Sequence, residues 1–492
     1  MNNEKYILAI DQGTSSSRAI LFNDKAQIVK ISQHNFRCLL PKDGYVEQKP
    51  QDIISTVFQS VQDILKEYKT SDIISCGITN QRETIIVWDK NNGKAVYNAI
   101  VWQDTRTDDW CKAHQKHYNA QLKAKTGLLL NPYFSASKIK WILDNVPQAA
   151  SLLKQGRLLC GTVDSFLLWH LTKGKQHLTD ATNASRTLLY NIKNGDWDQD
   201  LLDFFQIPRQ ILPQVRDCCS DFGTIDSDLF GKEIKINAMI GDQQSATVGQ
   251  ACFQKASGKI TFGTGCFMML NTGNQIVDSK SNLLSTVLYR LQGQTTYALE
   301  GSCFYAAAII NWLRDNLNLI TDAGQTEEMA KKALDIENLY LVPAFNGLGA
   351  PYWNSAARGL ISGLTTMVGK NEIVKAALES VILQSYDLIK AMKDDNVEFS
   401  TIRIDGGMVK NNWFNQRLAT ILQKQIQIPQ NIESTICGAA LFAGLGAGFF
   451  EFDELNKLYK VKETKVPQEM ENRQQLIKGW HQAVKVACNI IS

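Results

Sequence analysis

Residues 6–18 read Tyr6-Ile7-Leu8-Ala9-Ile10-Asp11-Gln12-Gly13-Thr14-Ser15-Ser16-Ser17-Arg18. The apolar run Ile7–Ile10 predicts a buried strand. It ends at a carboxylate, a glycine and four small hydroxyl side chains, and a second apolar run, Ala19–Phe22, follows at once. The pattern is strand, tight turn, strand. Gly13 has no Cβ, so the backbone of the turn can approach a bulky anion. Its N–H groups and the hydroxyls of Thr14–Ser17 can cradle phosphate oxygens. Asp11 would face the same anion, which requires a cation between them. Taken alone, the stretch is equally an ordinary hairpin with a Ser/Thr turn.

A chain of 492 residues, 44% of them hydrophobic, has room for two or three packed domains. A net charge of +3 and the lack of any Lys/Arg-rich run exclude an electrostatic nucleic-acid binder. Asp11 interrupts the first apolar run too early for a signal peptide. The longest uncharged apolar stretch, Ser434–Phe450, carries four glycines and reads as a buried helix, not a membrane span. A soluble protein without membrane insertion is expected. The 11 cysteines form no C-x-x-C pair, so they read as free thiols of a reducing cytoplasm.

Along the chain, Ile28–Phe36 predicts a third strand and Tyr45–Gln48 a loop. Pro50 opens a helix to about Tyr68, with Ile53, Ile54, Val57, Val61 and Leu65 on one face. Strands follow at Ile73–Thr79, Ile85–Trp88 and Ala99–Trp102. Asn80-Gln81-Arg82-Glu83-Thr84 stands at the carboxyl end of the first of these, the edge where open α/β sheets bind ligands. Helical segments cover residues 133–145 and run from Thr162 to His170, and residues 172–235 read as polar loop. Ile236–Gly241 predicts a strand ending at Asp242-Gln243-Gln244, with a domain boundary near Gly249.

The second half opens by repeating the logic of the first: strand Lys259–Phe262, turn Gly263-Thr264-Gly265, strand Phe267–Leu270. Further elements are strand Thr296–Leu299, helix Ser302–Leu317, strand Leu339–Pro343, helix Glu372–Met392 and strand Ile402–Ile404. That strand ends at a third glycine turn, Asp405-Gly406-Gly407. Helix Trp413–Leu422, strand Ile426–Ile428 and a small-residue helix from Thr435 to about Gly446 complete the chain. Two phosphate-type hairpins and a glycine turn suggest a nucleotide held between two related domains. None of the five Gly-Lys pairs is followed by Ser or Thr, so a Walker A loop is absent. No G-x-G-x-x-G follows a strand, and Asp221-Phe222-Gly223 lacks the His-Arg-Asp of a protein kinase.

Over essentially its whole length the chain resembles the FGGY carbohydrate kinase family. The resemblance rests on Asp11–Arg18, Asn80–Thr84, Tyr133–Asn145 with Lys138 and Trp141, Gly241–Gln244, Gly263–Phe267 and Asp405–Gly407. Gly359–Leu364, with Glu372-Ile373 and Ala376–Glu379 beyond it, matches the second family pattern. The resemblance implies an α/β protein of two actin-like, ribonuclease-H-like ATPase domains, residues 1–248 and 249–492, with a cleft between them. It implies ATP-dependent phosphorylation of glycerol, because Asn-Gln-Arg-Glu-Thr beside Gly-Asp-Gln-Gln points to glycerol over a larger sugar.

The implied roles follow. Arg82 and Glu83 would hold two hydroxyls of glycerol, Tyr133 and Gln243 would add hydrogen bonds, and Trp102 and Phe267 would wall its carbons. Asp242 is the candidate base. Thr14, Ser15 and Ser16 would meet the outer phosphates, Arg18 would offset their charge, and Thr264 would approach from the other domain. Gly407 and Asn411 would lie near the adenosine. So would Ala307 and Asn311, where the family usually has glycine and glutamine; the added methyl is expected to shift nucleotide affinity without abolishing binding. Mg²⁺ would reach Asp11 and Asp242. Homodimers or homotetramers are implied by the resemblance alone. Singly, Arg82-Glu83 reads as a surface ion pair, Trp102 as core packing and Asp242 as a helix cap. Two other readings stay open: a kinase of a related polyol or sugar, and an actin-like nucleotide switch that binds a protein.

Overall fold

The computed structural model describes residues 4–490. Its two large sheets repeat one plan. In the first, β1 (Tyr6–Gln12), β2 (Ser16–Phe22) and β3 (Ile28–Asn35) form an antiparallel meander. Strand β4 (Ile73–Asn80) lies parallel to β1, and β5 (Ile234–Gly241) lies parallel to β4. In the second, β6 (Ser257–Phe262) and β7 (Cys266–Gly273) form the hairpin, and β8 (Leu284–Leu291) and β9 (Gln294–Cys303) extend it. On the other side of β6 lie the parallel strands β10 (Thr401–Asp405) and β11 (Ile426–Pro429), then β12 (Val461–Lys465). Strand β6 thus occupies the place of β1, and β10 that of β4. Two α/β halves of this kind make the actin-like, ribonuclease-H-like arrangement.

All seven residues of β1 are buried. Alternate side chains of a strand face opposite ways, and both faces here are covered. Leu8 and Ile10 pack with Ile53, Val57 and Val61 of helix α1 (Pro50–Leu65). Ile7 and Ala9 pack with Ile436, Ala439 and Ala440 of a helix from the second half. That explains why β1 and β4 read as apolar runs and not as alternation.

Register sets the functional edge. Asp11 pairs with Thr79 and Gln12 with Asn80, while Gly241 of β5 also pairs with Asn80. Three parallel strands therefore end level, and Gly13, Gln81-Arg82 and Asp242 emerge side by side. In the second half Thr261 pairs with Asp405, which puts the turns at Gly263 and Gly406 next to each other. Among the described residues no helix is long and apolar enough to cross a membrane, and all eleven cysteines are free.

Several expectations need correction. The stretch 172–235, expected to be loop-rich and polar, also carries helices α2 (Ala181–Ala184) and α3 (Gln199–Phe205) and buries Leu188, Leu189, Tyr190, Trp197 and Phe205. Their polar residues are spent locally, as where Asp180 caps the first of those helices through the N–H groups of Thr182 and Asn183. Strand β9 runs on to Cys303 because Ser302 and Cys303 pair with Phe267 and Cys266, so the helix expected from Ser302 is shorter, α4 (Ala307–Asp315). Helix α1 stops at Leu65, and Glu47–Gln48 is a short strand paired with Ala99–Ile100.

The halves are joined most closely where α5 (Asp242–Gly249) crosses α6 (Ser434–Gly446). A Cβ on Gly438 would stand 1.9 Å from the Ser245 carbonyl oxygen, and one on Gly249 2.0 Å from that of Ser434. Backbone meets backbone, so neither side can yield by a rotamer change. Gly438→Ala is expected to lower the free energy of unfolding by about 2 kcal/mol or more, as overpacked cores do, read from urea denaturation. A loss under about 0.5 kcal/mol would show that the helices part without penalty.

Candidate active site

The site is built from what the three strand ends expose. After β4 the backbone turns sharply: Thr84 N–H donates to the Arg82 carbonyl at 2.7 Å, with Glu83 at φ +62° between them. This is a γ-turn, a strained conformation for a residue with a Cβ. It sends the Arg82 and Glu83 side chains into the interior, where their residues are only 2% and 1% exposed.

The pair is therefore not a surface ion pair, nor chiefly a pair at all, since Arg82 Nε and Glu83 Oε1 lie 4.0 Å apart. Arg82 instead grips Glu300 of β9 with both terminal nitrogens, Nη1 to Oε2 at 2.8 Å and Nη2 to Oε1 at 3.0 Å. Its Nη1 also donates to Gln244 Oε1 at 3.2 Å, and its Nε stands 3.0 Å from Asp242 Oδ1. Glu83 Oε1 accepts from Arg186 Nε at 2.6 Å. Arg186 reaches Glu300 as well, donating from Nη2 to Oε1 at 3.2 Å; its Nη1 comes within 3.1 Å of Oε2 without hydrogen-bond alignment.

Asp242 opens α5 directly after Gly241, with its side chain 28% exposed. Its Oδ1 accepts the N–H of Gln243 at 2.6 Å; the N-cap position belongs to Gly241, so Asp242 is not the helix cap that it reads as singly. Burial pushes its carboxyl above the usual range, Asp11 adds to that, and Arg82 and Lys259 pull it back. Burial likewise raises Asp11 against the opposing pull of Arg18. Arg18 donates to Asp11 Oδ2 at 2.7 Å and to Glu433 Oε2 at 2.5 Å. Gln243 is held by Lys259 of β6, a fully buried ammonium that donates to Gln243 Oε1 and to Thr261 Oγ1.

The aromatic residues converge. Trp102 meets Tyr133 edge to face at 5.7 Å and Phe267 of β7 at 6.2 Å. Trp102 is half-buried, and its indole Nε1 donates to Thr14 Oγ1 at 3.0 Å, so it is not simply core. Phe267 comes from the second half, so this wall is closed across the two domains.

The remaining residues line the second half. Gly263 and Thr264 accept from the N–H groups of Ala306–Ala308, which fastens the β6–β7 turn to the start of α4. Ala307 thus stands beside that turn. Thr264, Asn311 and Gly407 are exposed, as is Ser15 on the first hairpin. In that hairpin Gly13 N–H donates to the Ser16 carbonyl at 2.9 Å. At the third glycine turn Gly406 has φ +95°, and a Cβ there would lie 2.3 Å from the Phe262 carbonyl oxygen, so only glycine lets β10 end against the phosphate-type turn. Asn411 caps the helix Asn412–Leu422 and donates to Thr326.

Among the described residues no group of three or more His, Cys, Asp or Glu side chains is placed to hold a metal. Asp11 and Asp242 do act on each other electrostatically. Two carboxylates at the ends of the strands that flank β4 suit a Mg²⁺ that keeps waters and takes its other oxygens from phosphates.

Glu300, Arg186 and Lys259 were not singled out from the sequence. Their signal was a lone charge inside an apolar strand, or for Arg186 in a buried turn, a placement rare unless the charge is paired.

The family models for the FGGY family of carbohydrate kinases match residues 6–249 for the N-terminal domain and 258–447 for the C-terminal domain. The chain is 50% identical to a glycerol kinase of Alteromonas mediterranea over 492 residues, 99% of this chain and 100% of that one. It is 50% identical to glycerol kinase 1 of Pseudomonas aeruginosa, covering 98% of each. Among solved structures, Plasmodium falciparum glycerol kinase with ADP superposes with a TM-score of 0.90 at 34% identity, covering 98% of both chains. A gluconate kinase of Lactobacillus acidophilus, at 22% identity and a TM-score of 0.85 over 99% of this chain and 97% of that one, shares the fold.

The buried ion cluster makes a prediction about acid stability. Burial pushes the Glu300 carboxyl up, but Arg186 and Arg82 outweigh it and hold it near 2, against 4.5 for a free glutamate. A carboxylate depressed in the folded state contributes stability above its unfolded value and loses it as pH falls through the folded one. The stability gap between wild type and Glu300→Gln is therefore expected to be widest at neutral pH and to narrow between about pH 4.5 and 2. Denaturation across that range measures it; a gap independent of pH would assign the effect to packing.

Proposed function

The chain belongs to the FGGY family of carbohydrate kinases, and we propose that it transfers the terminal phosphoryl group of ATP to glycerol, forming sn-glycerol 3-phosphate. The observation that carries this reading is the convergence of Arg82, Glu83 and Asp242 beside one aromatic wall, in a chain half identical to glycerol kinases over its length. Glycerol is a small neutral triol. It is recognised by a few fixed donors and acceptors against an apolar face. Glu83 offers Oε2, which has no partner among the described residues, and Gln243 offers its amide N–H groups. Tyr133 adds a phenol, and Trp102 and Phe267 supply the face.

Phosphoryl transfer requires alignment and charge stabilisation more than covalent help. Asp242 Oδ1 is occupied by the Gln243 N–H and lies against Arg82, so Oδ2 is the oxygen available to a substrate hydroxyl. It takes the proton as the hydroxyl oxygen bonds to phosphorus and ADP departs. The first hairpin, with Thr14, Ser15, Ser16 and Arg18, and the second, with Thr264, are read as the phosphate clasps. Ala307, Asn311, Gly407 and Asn411 are read as the adenosine side. Asp11 and Asp242 would hold Mg²⁺, which supplies neutralisation of phosphate charge. Lobes divided near residue 249 would close to exclude water. A cytoplasmic location and self-association as a dimer or tetramer belong to the same reading.

ADP release with Mg·ATP and a polyol panel tests it. Glycerol is expected to give the highest kcat/KM; a best response to xylulose or gluconate would move the chain to another substrate, and polyol-independent turnover would replace the kinase by a nucleotide switch. Asp242→Asn keeps the shape of the site and loses the proton acceptor. It is expected to bind glycerol and ATP while kcat falls about 10²–10⁴-fold; near-normal turnover would remove Asp242 from the chemistry.

A further inference from the structure

Resting on the glycerol reading of the cleft, the donor and acceptor inventory of the pocket leads one step further. A guanidinium has five N–H groups. In Arg82, both protons of Nη1 and one of Nη2 are committed, to Gln244 Oε1 and to the two oxygens of Glu300. The Nε lies against Asp242. One Nη2 N–H is left for substrate, so Arg82 presents a single donor and not a fork. Gln243 shows the complementary case. An amide can turn its oxygen or its nitrogen outward, and the Lys259 ammonium, which can only donate, takes the oxygen. The NH₂ group is thereby fixed as the end left to a ligand.

Both constraints come from the second half of the chain, Glu300 from β9 and Lys259 from β6, while the residues they fix belong to the first. Both are fully buried, a rare state for Glu and Lys. Among the polar groups that satisfy them are Arg82 and Gln243 of the pocket, joined by Arg186 on Glu300 and by Thr261 on Lys259.

We propose that Glu300 and Lys259 are positioning residues which set the hydrogen-bonding polarity of the substrate pocket: Glu300 limits Arg82 to one outward donor, and Lys259 locks Gln243 as a donor. The pocket then shows hydroxyl-donating groups from Arg82 and Gln243 and hydroxyl-accepting groups from Glu83 and Asp242. A triol, each of whose oxygens both donates and accepts, satisfies all four. A substrate in which one hydroxyl is replaced by a protonated amine has a group that can only donate, and it leaves a donor of the pocket unmet.

The test uses the full-length enzyme, with Glu300→Gln, Glu300→Asp and Lys259→Met. Steady-state kinetics with glycerol, with 1-amino-2,3-propanediol and with varied Mg·ATP are combined with thermal melting. In Lys259→Met the amide is free to turn its oxygen outward. The preference for glycerol over the amine, as a ratio of kcat/KM values, is expected to fall at least about tenfold, the worth of one charge-assisted hydrogen bond. In Glu300→Gln the KM for glycerol is expected to rise at least about tenfold with the KM for ATP within about twofold, since Arg82 touches only the polyol side. Glu300→Asp retains the charge and is expected to recover part of that loss. Folded variants with unchanged glycerol KM and an unchanged glycerol-to-amine ratio would overturn the inference, and so would parallel changes in the KM values of both substrates. If wild type itself fails to phosphorylate glycerol, the reading of the site fails first, and the two failures are told apart by that single control.

Discussion

The structure depends on one carboxylate, that of Glu300, standing between two arginines from the other half of the chain. Arg82 and Arg186 are each less than 3% exposed, and neither could remain in the interior without an acceptor of matching geometry. A planar fork on a carboxylate supplies that match. The consequence is architectural: Arg82, which follows a strand of the first sheet and which we read as a substrate ligand, is held by a strand of the second, so its setting exists only where the halves are docked. The docking itself is apolar. Leu284, Val287 and Tyr297 of β8 and β9 belong to the same packed cluster as Leu188, Leu189 and Tyr190 of the first half. Hydrophobic burial brings the hairpin to the arginines, and the ion cluster fixes its position along the strand.

Strand register provides the second constraint. Because β1, β4 and β5 are parallel and end level, every residue that follows them projects into the same space. The sheet edge therefore gathers Asp11, Arg82, Glu83 and Asp242 from three stretches of the chain, the first and last of them more than two hundred residues apart. The γ-turn at Glu83 carries local strain, and the surrounding ion pairs to Arg186 and Glu300 over-determine that conformation.

How much of this was legible beforehand follows from the physics of each signal. The hairpins at Gly13 and Gly263 were readable because a strand, a glycine turn and a strand are local, and so was the turn at Gly406. Arg82, Glu83, Trp102, Tyr133 and Phe267, which we read as a glycerol pocket, could be named from strand ends, motifs and the family resemblance, and they lie near one another in the structure. What stayed hidden was long-range. Glu300 is one acidic residue in an apolar strand, and nothing in its neighbours states that two arginines, 218 and 114 residues away, will meet it. Residues 172–235 read as loop because their polar side chains are numerous; the structure shows those side chains turned back on their own backbone while the aliphatic ones form core. Helix ends missed by a turn or less, as at Leu65, reflect tertiary packing overriding local propensity.

Charge balance ties the two faces of the site together. Around the strand ends the cations are Arg18, Arg82, Arg186 and Lys259, and the carboxylates are Asp11, Glu83, Asp242, Glu300, Asp405 and Glu433. Four positive groups thus face six negative ones; Arg18, Arg82 and Arg186 are already paired with carboxylates, and Lys259 is bound to Gln243 and Thr261. A polyphosphate entering such a site meets an excess of its own sign in a poorly screened interior. Backbone N–H groups of the two glycine turns offset part of this repulsion, and a divalent cation travelling with the phosphates offsets more. Burial raises the proton affinity of Asp11, Asp242 and Asp405, and a neighbouring carboxylate adds to it at Asp11 (Glu433) and at Asp242 (Asp11). In the proposed reaction one divalent ion would answer both the carboxylates and the nucleotide phosphates, and that would allow an aspartate to stand at the mouth of the first hairpin.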